Sequence, residues 1–412
     1  MAIQHSPGLV ADAELNALRE DMEAEFPAFL ADLTTLVEID SGSYTKAGVD
    51  EVGRWTAGFL ESLGAAVEVR PDDRLGDTVM GTFLGRKGGV RALLIGHLDT
   101  VFDPGTVVER PFRISGARAY GPGVSDMKGG LLAGLYALQA LRAMGPGGSA
   151  WLPLERLVFI ANPDEEIGSP VSTPHIRAAA TEADVAFVLE SARANGDIVS
   201  SRKGTVELRL TFSGRAAHAG VEPEKGRSAI LEAAHKTIAL HALNGRWPGL
   251  TCNVGVVQGG SRPNVVPEST VLQVDLRSPG RADLESAEAA ARAICGSPHV
   301  PDVTTTVEEV GRHWPMEKLE ASVPLVELAC ALAARLGFEL HDAATGGASD
   351  ANTTAGLGVP TLDGLGHIGG DDHSPLEYLE VDSIVPRTTM LAALLLATGR
   401  RGIDASRRRV GV

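Results

Sequence analysis

The stretch VRALLIGHLD (residues 90–99) decides the fold class. It is a continuous apolar run, not an alternating one, and a strand of that texture is buried on both faces. Two later runs share it: ERLVFIAN (155–162) and ADVAFVLE (183–190). AAVEVRP (65–71) and DTVMGTFLG (77–85) read as further strands. Around them lie segments of helical periodicity. Residues 11–40 read as one or two helices, and DEVGRWTAGFLESLG (50–64) as another, closed by Gly64. DMKGGLLAGLYALQALRAMG (126–145) reads as a helix with Asp126 at its start, and a further helix lies near residues 173–182. Strands alternating with helices predict an α/β layer with a mainly parallel sheet.

The texture changes near residue 202. KGTVELRLTFSGRA (203–216) and STVLQVDLRSP (269–279) alternate strictly, which suits an antiparallel sheet with one face covered. With helices at 226–243 and 281–295, the order strand–helix–strand–strand–helix–strand predicts a small ferredoxin-like unit. Helical segments return at 322–337 and 386–399. The expected organisation is a discontinuous catalytic domain, 1–201 and 313–412, with an inserted domain at 202–312.

Composition sets limits on function. The 412 residues carry 37 Lys and Arg against 53 Asp and Glu, a formal net charge of −16. The basic tail RRGIDASRRRVGV (400–412) reads as a loose end, and no other basic block exists. Phosphate binding needs a positive footprint, so no nucleic-acid partner is expected. The N-terminus lacks the pattern of a signal peptide, and no run of 18 apolar residues implies a membrane span. Cys252, Cys295 and Cys330 are odd in number and form no CxxC pair, which fits a reduced, cytoplasmic protein.

The three buried runs share a second feature: each ends in acid or imidazole. The first ends in His97 and Asp99, the second runs into Asp164, Glu165 and Glu166, and the third ends in Glu190. Ligands of open α/β sheets bind outside the carboxyl ends of the strands. An acid run after one strand reads equally as a solvated turn. Three such strands, with Asp126 heading a helix, point to one shared cation site. His97 and Asp99, at i and i+2, share a strand face, and a carboxylate beside a ligating His fixes its tautomer. His373, in the Gly- and Asp-rich loop GGDDHSPLEYL (369–379), is the remaining candidate. A carboxylate-rich site with two imidazoles suits zinc, with cobalt or manganese as substitutes.

Five segments, in order, resemble the M20 metallopeptidase family: IGHLDTV (95–101), GPGVSDMKGG (121–130), NPDEEIGS (162–169), VLES (188–191) and DDHSPLEY (371–378). Residues 344–366 are most similar to the glutamate carboxypeptidase branch. The resemblance implies two zinc ions, with Asp126 bridging, His97 and Glu190 holding one, and Glu166 and His373 the other. It implies Glu165 as general base, Asp99 as the partner of His97, and a cis peptide after Asp126. A carboxylate bridge spans metals about 3.5–4 Å apart and favours ionisation of a water between them. If residues 165 and 166 continue the strand, they face opposite sides, so Glu166 binds metal while Glu165 moves protons.

In the inserted domain the resemblance assigns His218 to the partner's active site across a homodimer, where it polarises the scissile carbonyl. Asn264 and Arg277 would bind substrate; a planar guanidinium suits a free carboxylate. Asn264 also reads as a turn former and Arg277 as an exposed strand residue. The other histidines have no convergent partner, and His367 reads as structural. The expected activity is hydrolysis of an amide beside a free carboxylate, in a small molecule or short peptide. Alternatives on the same scaffold are an aminoacylase or an N-carbamoyl amidohydrolase. In a different class stands a catalytically silent, metal-stabilised binding protein.

Overall fold

The computed structural model describes residues 9–145 and 151–401. All but the first two residues of the basic tail lie outside them. The chain divides into two compact units: residues 1–200, 318–344 and 349–412 form one, and 201–317 with 345–348 form the other.

In the first unit a six-stranded sheet runs in the order Ala66–Arg70, Thr78–Leu84, Arg156–Asn162, Arg91–His97, Val185–Val188, Thr361–Leu362. The last four strands pair in parallel and the first two are antiparallel. Arg91–His97 lies in the interior of this sheet, and six of its seven residues are buried, as its unbroken apolar texture requires. Register aligns the strand ends. His97 pairs with Asn162 and Ile95 with Val188, so Glu190 lies level with His97. The Asp12–Val37, Gly130–Met144, Val323–Leu336 and Ile384–Arg401 helices share one apolar core with the sheet. The segment Val381–Arg401 is long and apolar enough to cross a membrane, but 78% of its apolar window is buried inside the protein, where it serves as a core helix.

The helix expected to begin at Asp126 begins regularly only at Gly130. Residues 124–129 form an irregular turn with extended dihedrals at Asp126 and a cis Asp126–Met127 peptide. Gly130 and Gly134, one turn apart, let the helix approach Leu189. A β-carbon on Gly130 would stand 1.9 Å from the Leu189 carbonyl oxygen, and one on Gly134 2.6 Å from its Cδ1. A second, small sheet pairs Arg113–Ser115, Arg118–Tyr120, Tyr378–Glu380 and Gly369–Gly370. It holds the two ends of the loop that carries His373.

The second unit follows the order read from its alternation: strand Gly204–Ser213, helix Ala229–His241, strands Thr251–Gly259 and Ser269–Ser278, helix Arg281–Cys295, strand Thr304–His313. Its antiparallel sheet places Thr251–Gly259 and Thr304–His313 at the edges, and both helices pack on its apolar face. The unit extends past the expected boundary at 312 because Trp314 lies under the guanidinium groups of Arg281 and Arg312, and Glu317 accepts the Arg281 N–H. No sequence periodicity marks such side-chain anchoring.

Two glycines of the first unit are expected to respond oppositely to alanine. Gly130→Ala drives a methyl into a backbone carbonyl and should cost about 1–3 kcal/mol or more. Gly58 lies in the Lys46–Ser62 helix with open space around it. Gly58→Ala should stabilise by about 0.5–1 kcal/mol through lost backbone freedom in the unfolded chain. Urea unfolding of both variants checks the pair of signs.

Candidate metal centre

The parallel strands deliver their ligands by ending together. His97 is the last residue of its strand, and its ring is buried. Its Nδ1 lies 3.0 Å from the Asp99 carbonyl oxygen and 3.3 Å from the Asp99 carboxylate. Its Nε2 lies 3.1 Å from Asp126 Oδ1 and 3.8 Å from Glu190. The other Asp126 oxygen, Oδ2, lies 3.1 Å from His373 Nε2, which is 3.2 Å from Glu166. One carboxylate therefore stands between two imidazoles, Oδ1 facing His97 and Oδ2 facing His373, with Glu190 beside the first ring and Glu166 beside the second. Glu165 enters from the side, its carboxylate grouped with His97 and Glu190.

The strand that precedes the acid run stops at Asn162, which changes the reason Glu165 and Glu166 diverge. They lie on a single 3-10 turn, Glu165–Ile167, not on a strand. Side chains of such a turn step by about 120° per residue. The turn is held by buried acids. Asp99 accepts the N–H groups of Glu165 and Glu166 at 3.1 and 3.2 Å, and also the Ser43 hydroxyl at 2.6 Å. Asp164 does not face the centre: its carboxylate accepts the N–H groups of Val171 and Ser172. Asp350 binds Asn162 and Ser169, one at each end of the acid run. The three consecutive acids thus divide, with Asp164 shaping the loop while the glutamates face inward.

The electrostatics call for positive charge. Burial raises the Glu165 carboxyl well above its ordinary range, and the neighbouring charges of Glu190, Asp350 and Glu166 add to this. Burial also raises Glu166. Hydrogen bonds to Asp126 and Glu166 push the His373 imidazole up to about 11. Burial works against protonation of His97, yet Asp126 and Asp99 hold it well above the usual imidazole range. Protons on two histidines are thus drawn in by a cluster of carboxylates. The ligand atoms of His97, Asp126 and Glu166 lie within 4.8 Å of one another, as do those of His97, Glu165 and Glu190. Glu166 Oε1 is buried without a hydrogen-bond partner in the protein. An orphaned buried carboxylate oxygen, amid oxygen and imidazole donors, fits a divalent cation.

Two residues with no role in the sequence reading belong to this centre. Glu377 is buried, and its carboxylate accepts the N–H groups of Gly123, Ser125 and Asp126 at 3.0, 2.8 and 3.0 Å. Burial pushes its carboxyl up to about 8 against those bonds. The available signal was an acid entering the apolar run YL immediately after the His373 loop. Ser43, bonded to Asp99, left no comparable signal. Lys128 is buried, and its Nζ donates to the Ile39 carbonyl at 2.8 Å. His367 is buried and neutral, bonded to Thr388 and edge-on to Phe29.

His218, Asn264 and Arg277 belong to the second unit, which carries none of the five ligands. His218 and Asn264 are neighbours: the Ala219 N–H donates to the Asn264 carbonyl, and His218 bridges Val265. Both are exposed. The Arg277 fork is engaged by Asp275 at 2.9–3.2 Å and donates to the Gly346 carbonyl.

Comparison with known proteins agrees with this geometry. The model of peptidase family M20/M25/M40 matches residues 93–397. Carboxypeptidase G2 of Pseudomonas sp. (strain RS-16) is 30% identical over 389 residues, 93% of this chain and 92% of that protein. Acetylornithine deacetylase of Proteus mirabilis (strain HI4320) is 28% identical over 62% of this chain and 68% of its own length. Among solved structures, the M20 family metallo-carboxypeptidase Sso-CP2 of Sulfolobus solfataricus superposes with a TM-score of 0.69 at 18% identity, covering 90% of this chain and 99% of that one. With strand ends, shared carboxylate and family model in agreement, the chain belongs to peptidase family M20/M25/M40 and is a hydrolase of amide bonds.

Proposed function

We propose that the protein is a dinuclear zinc amidohydrolase that cleaves an amide beside a free carboxylate, in the manner of a glutamate carboxypeptidase. The observation that carries this reading is the Asp126 carboxylate, one oxygen turned to His97 and the other to His373. In this assignment His97 and Glu190 would hold one zinc, Glu166 and His373 the other, and Asp126 would serve both. Bound zinc would polarise the scissile carbonyl and ease ionisation of the attacking water. Glu165 takes the proton of that water and passes it to the leaving nitrogen. Its burial and the surrounding carboxylates raise its basicity, which suits a group that must accept and then release a proton near neutral pH. Asp99 keeps the His97 ring oriented and, through its bonds to the 165–166 backbone, sets the base relative to the ligands.

The second unit, read as a ferredoxin-like lid and dimerisation domain, supplies His218 to the neighbouring subunit, with Asn264 and Arg277 binding substrate. Arg277 would exchange Asp275 for the substrate carboxylate. Edge strands support the homodimer. Thr304–His313 carries Glu308, Glu309 and Arg312, charges that discourage edge pairing. Thr251–Gly259 carries no charge and packs beside a helix that exposes Ile230, Leu231 and Ile238. An uncharged edge next to an apolar helix face suits self-pairing with a second copy about a two-fold axis. The free cysteines keep the cytoplasm as the proposed location.

Zinc-loaded protein should hydrolyse N-acylglutamates or carboxyl-terminal dipeptides in preference to N-carbamoyl amino acids, read by amine release. Prolonged chelation should abolish this, and zinc or cobalt should restore it. Full activity in rigorously metal-free protein would defeat the reading.

Glu165→Ala should retain both metals and lose at least about 10²–10⁴-fold in kcat, the usual contribution of general acid–base catalysis. Glu166→Ala should instead bind one metal weakly. Equal metal loss in both, with Glu165→Ala active once zinc is resupplied, would reverse the assignment.

His218→Ala should lose about 10²–10³-fold in kcat, the scale of one removed oxyanion donor. Mixed with Glu165→Ala under subunit exchange, half the dimers should carry one whole site, and activity should climb towards roughly a quarter of wild type. No recovery after verified exchange would return His218 to its own subunit or to a structural role.

A further inference from the structure

Glu377 lies next to the centre, yet its oxygens are turned away from the cation positions and towards backbone. Oε1 accepts the N–H groups of Ser125 and Asp126, and Oε2 that of Gly123. These amides belong to the irregular turn before the Gly130–Met144 helix, where Gly123 has φ +74 and Asp126 has φ −113, ψ 95. Three N–H groups aimed at one point form an anion-binding concavity. A carboxylate, acceptor-only with about four lone-pair sites, can serve all three. A glutamine would set its own N–H₂ against at least one of them.

Glu377 is also four residues after His373, in the same loop. That loop carries His373 at φ +62, and its ring is the most exposed of the two imidazoles at the centre. Arg110 adds a second tie, donating to the Ser374 carbonyl at 3.2 Å. The two ligands Asp126 and His373 are 247 residues apart in sequence and meet at one cation position. We propose that Glu377 is a positioning residue that joins the Asp126 turn to the His373 loop, so that the shared ligand Asp126 and the histidine of one half-site are set as a single unit. The other half-site is built differently. His97 and Glu190 extend from adjacent strands of the central sheet, and Asp99 holds the His97 ring. The Glu377 carboxylate accepts from Gly123, Ser125 and Asp126, residues outside those two strands. Asp126 serves both half-sites, but only one of them also takes its histidine from the loop that carries Glu377, so loss of Glu377 should weaken that half-site more.

This inference rests on the dinuclear reading, and wild-type protein tests that reading separately. Metal-free wild type and Glu377→Gln are titrated with zinc under equilibrium dialysis, and the visible spectrum of the cobalt-loaded forms is recorded. Wild type should bind two zinc ions tightly; fewer than two would end the dinuclear reading on wild type alone. Glu377→Gln should keep one tight zinc and bind the second about 10–100-fold more weakly, the usual effect of losing a residue that orients a ligand. Its cobalt spectrum should lose the contribution of one site. Zinc at the His97 position should stay tight even where the metal-free melting temperature falls below that of metal-free wild type, which separates positioning from general stability. In the Glu377→Gln background, His97→Ala should remove the remaining zinc and His373→Ala should not. Unchanged affinity at both positions would overturn the proposal. So would equal weakening at both with a lowered metal-free melting temperature, or a Glu377→Gln chain that fails to fold.

Discussion

Everything in the larger unit answers to one electrostatic constraint. Asp126, Glu165, Glu166 and Glu190 converge on two imidazoles, and like charges at such spacing repel unless cations or protons stand among them. The field of these carboxylates raises both imidazoles above their ordinary range. Divalent cations would satisfy the same field more fully, because a bound dication becomes the largest local charge. The parallel sheet makes such crowding affordable in geometric terms alone, by stopping adjacent strands at the same level.

A second set of acids keeps that crowding in order. Asp164 and Glu377 accept backbone N–H groups, Asp99 accepts two of them together with the Ser43 hydroxyl, and Asp350 binds Asn162 and Ser169. Hydrogen bonds to charged groups are worth about 1.5–3 kcal/mol each, more than neutral ones. They can therefore hold irregular backbone that secondary structure cannot. This matters because the reacting side chains lie on turns: Glu165 and Glu166 on one 3-10 turn, Asp126 beside a cis peptide, His373 at positive φ. The sheet supplies rigidity and the buried acids transmit it to those turns. Carboxylates within the cluster face the two imidazoles; those around it face amides and hydroxyls.

Local pattern carried much of this. Continuous apolar runs against alternating ones separated the two units, since a strand covered on both faces and a strand covered on one bury different residues. Acids and imidazole at three strand ends marked the centre because parallel strands present their carboxyl ends together. These readings need only the period of side chains along a chain. Helix ends were less legible. The segment from Asp126 has helical periodicity throughout, but Glu377 captures its first amides and moves the regular helix to Gly130.

What the sequence by itself determined, then, is the α/β class of the larger unit, the alternation of the second unit and the acids and imidazole at three strand ends, because each depends on spacing within a few residues. Only the tertiary structure decided which oxygen of Asp126 meets which histidine, why Glu165 and Glu166 part, and that Glu377 underlies the Asp126 turn. Those facts depend on segments up to 254 residues apart meeting in one register. A carboxylate that binds backbone amides leaves no periodic trace, since its partners contribute N–H groups that every residue except proline possesses.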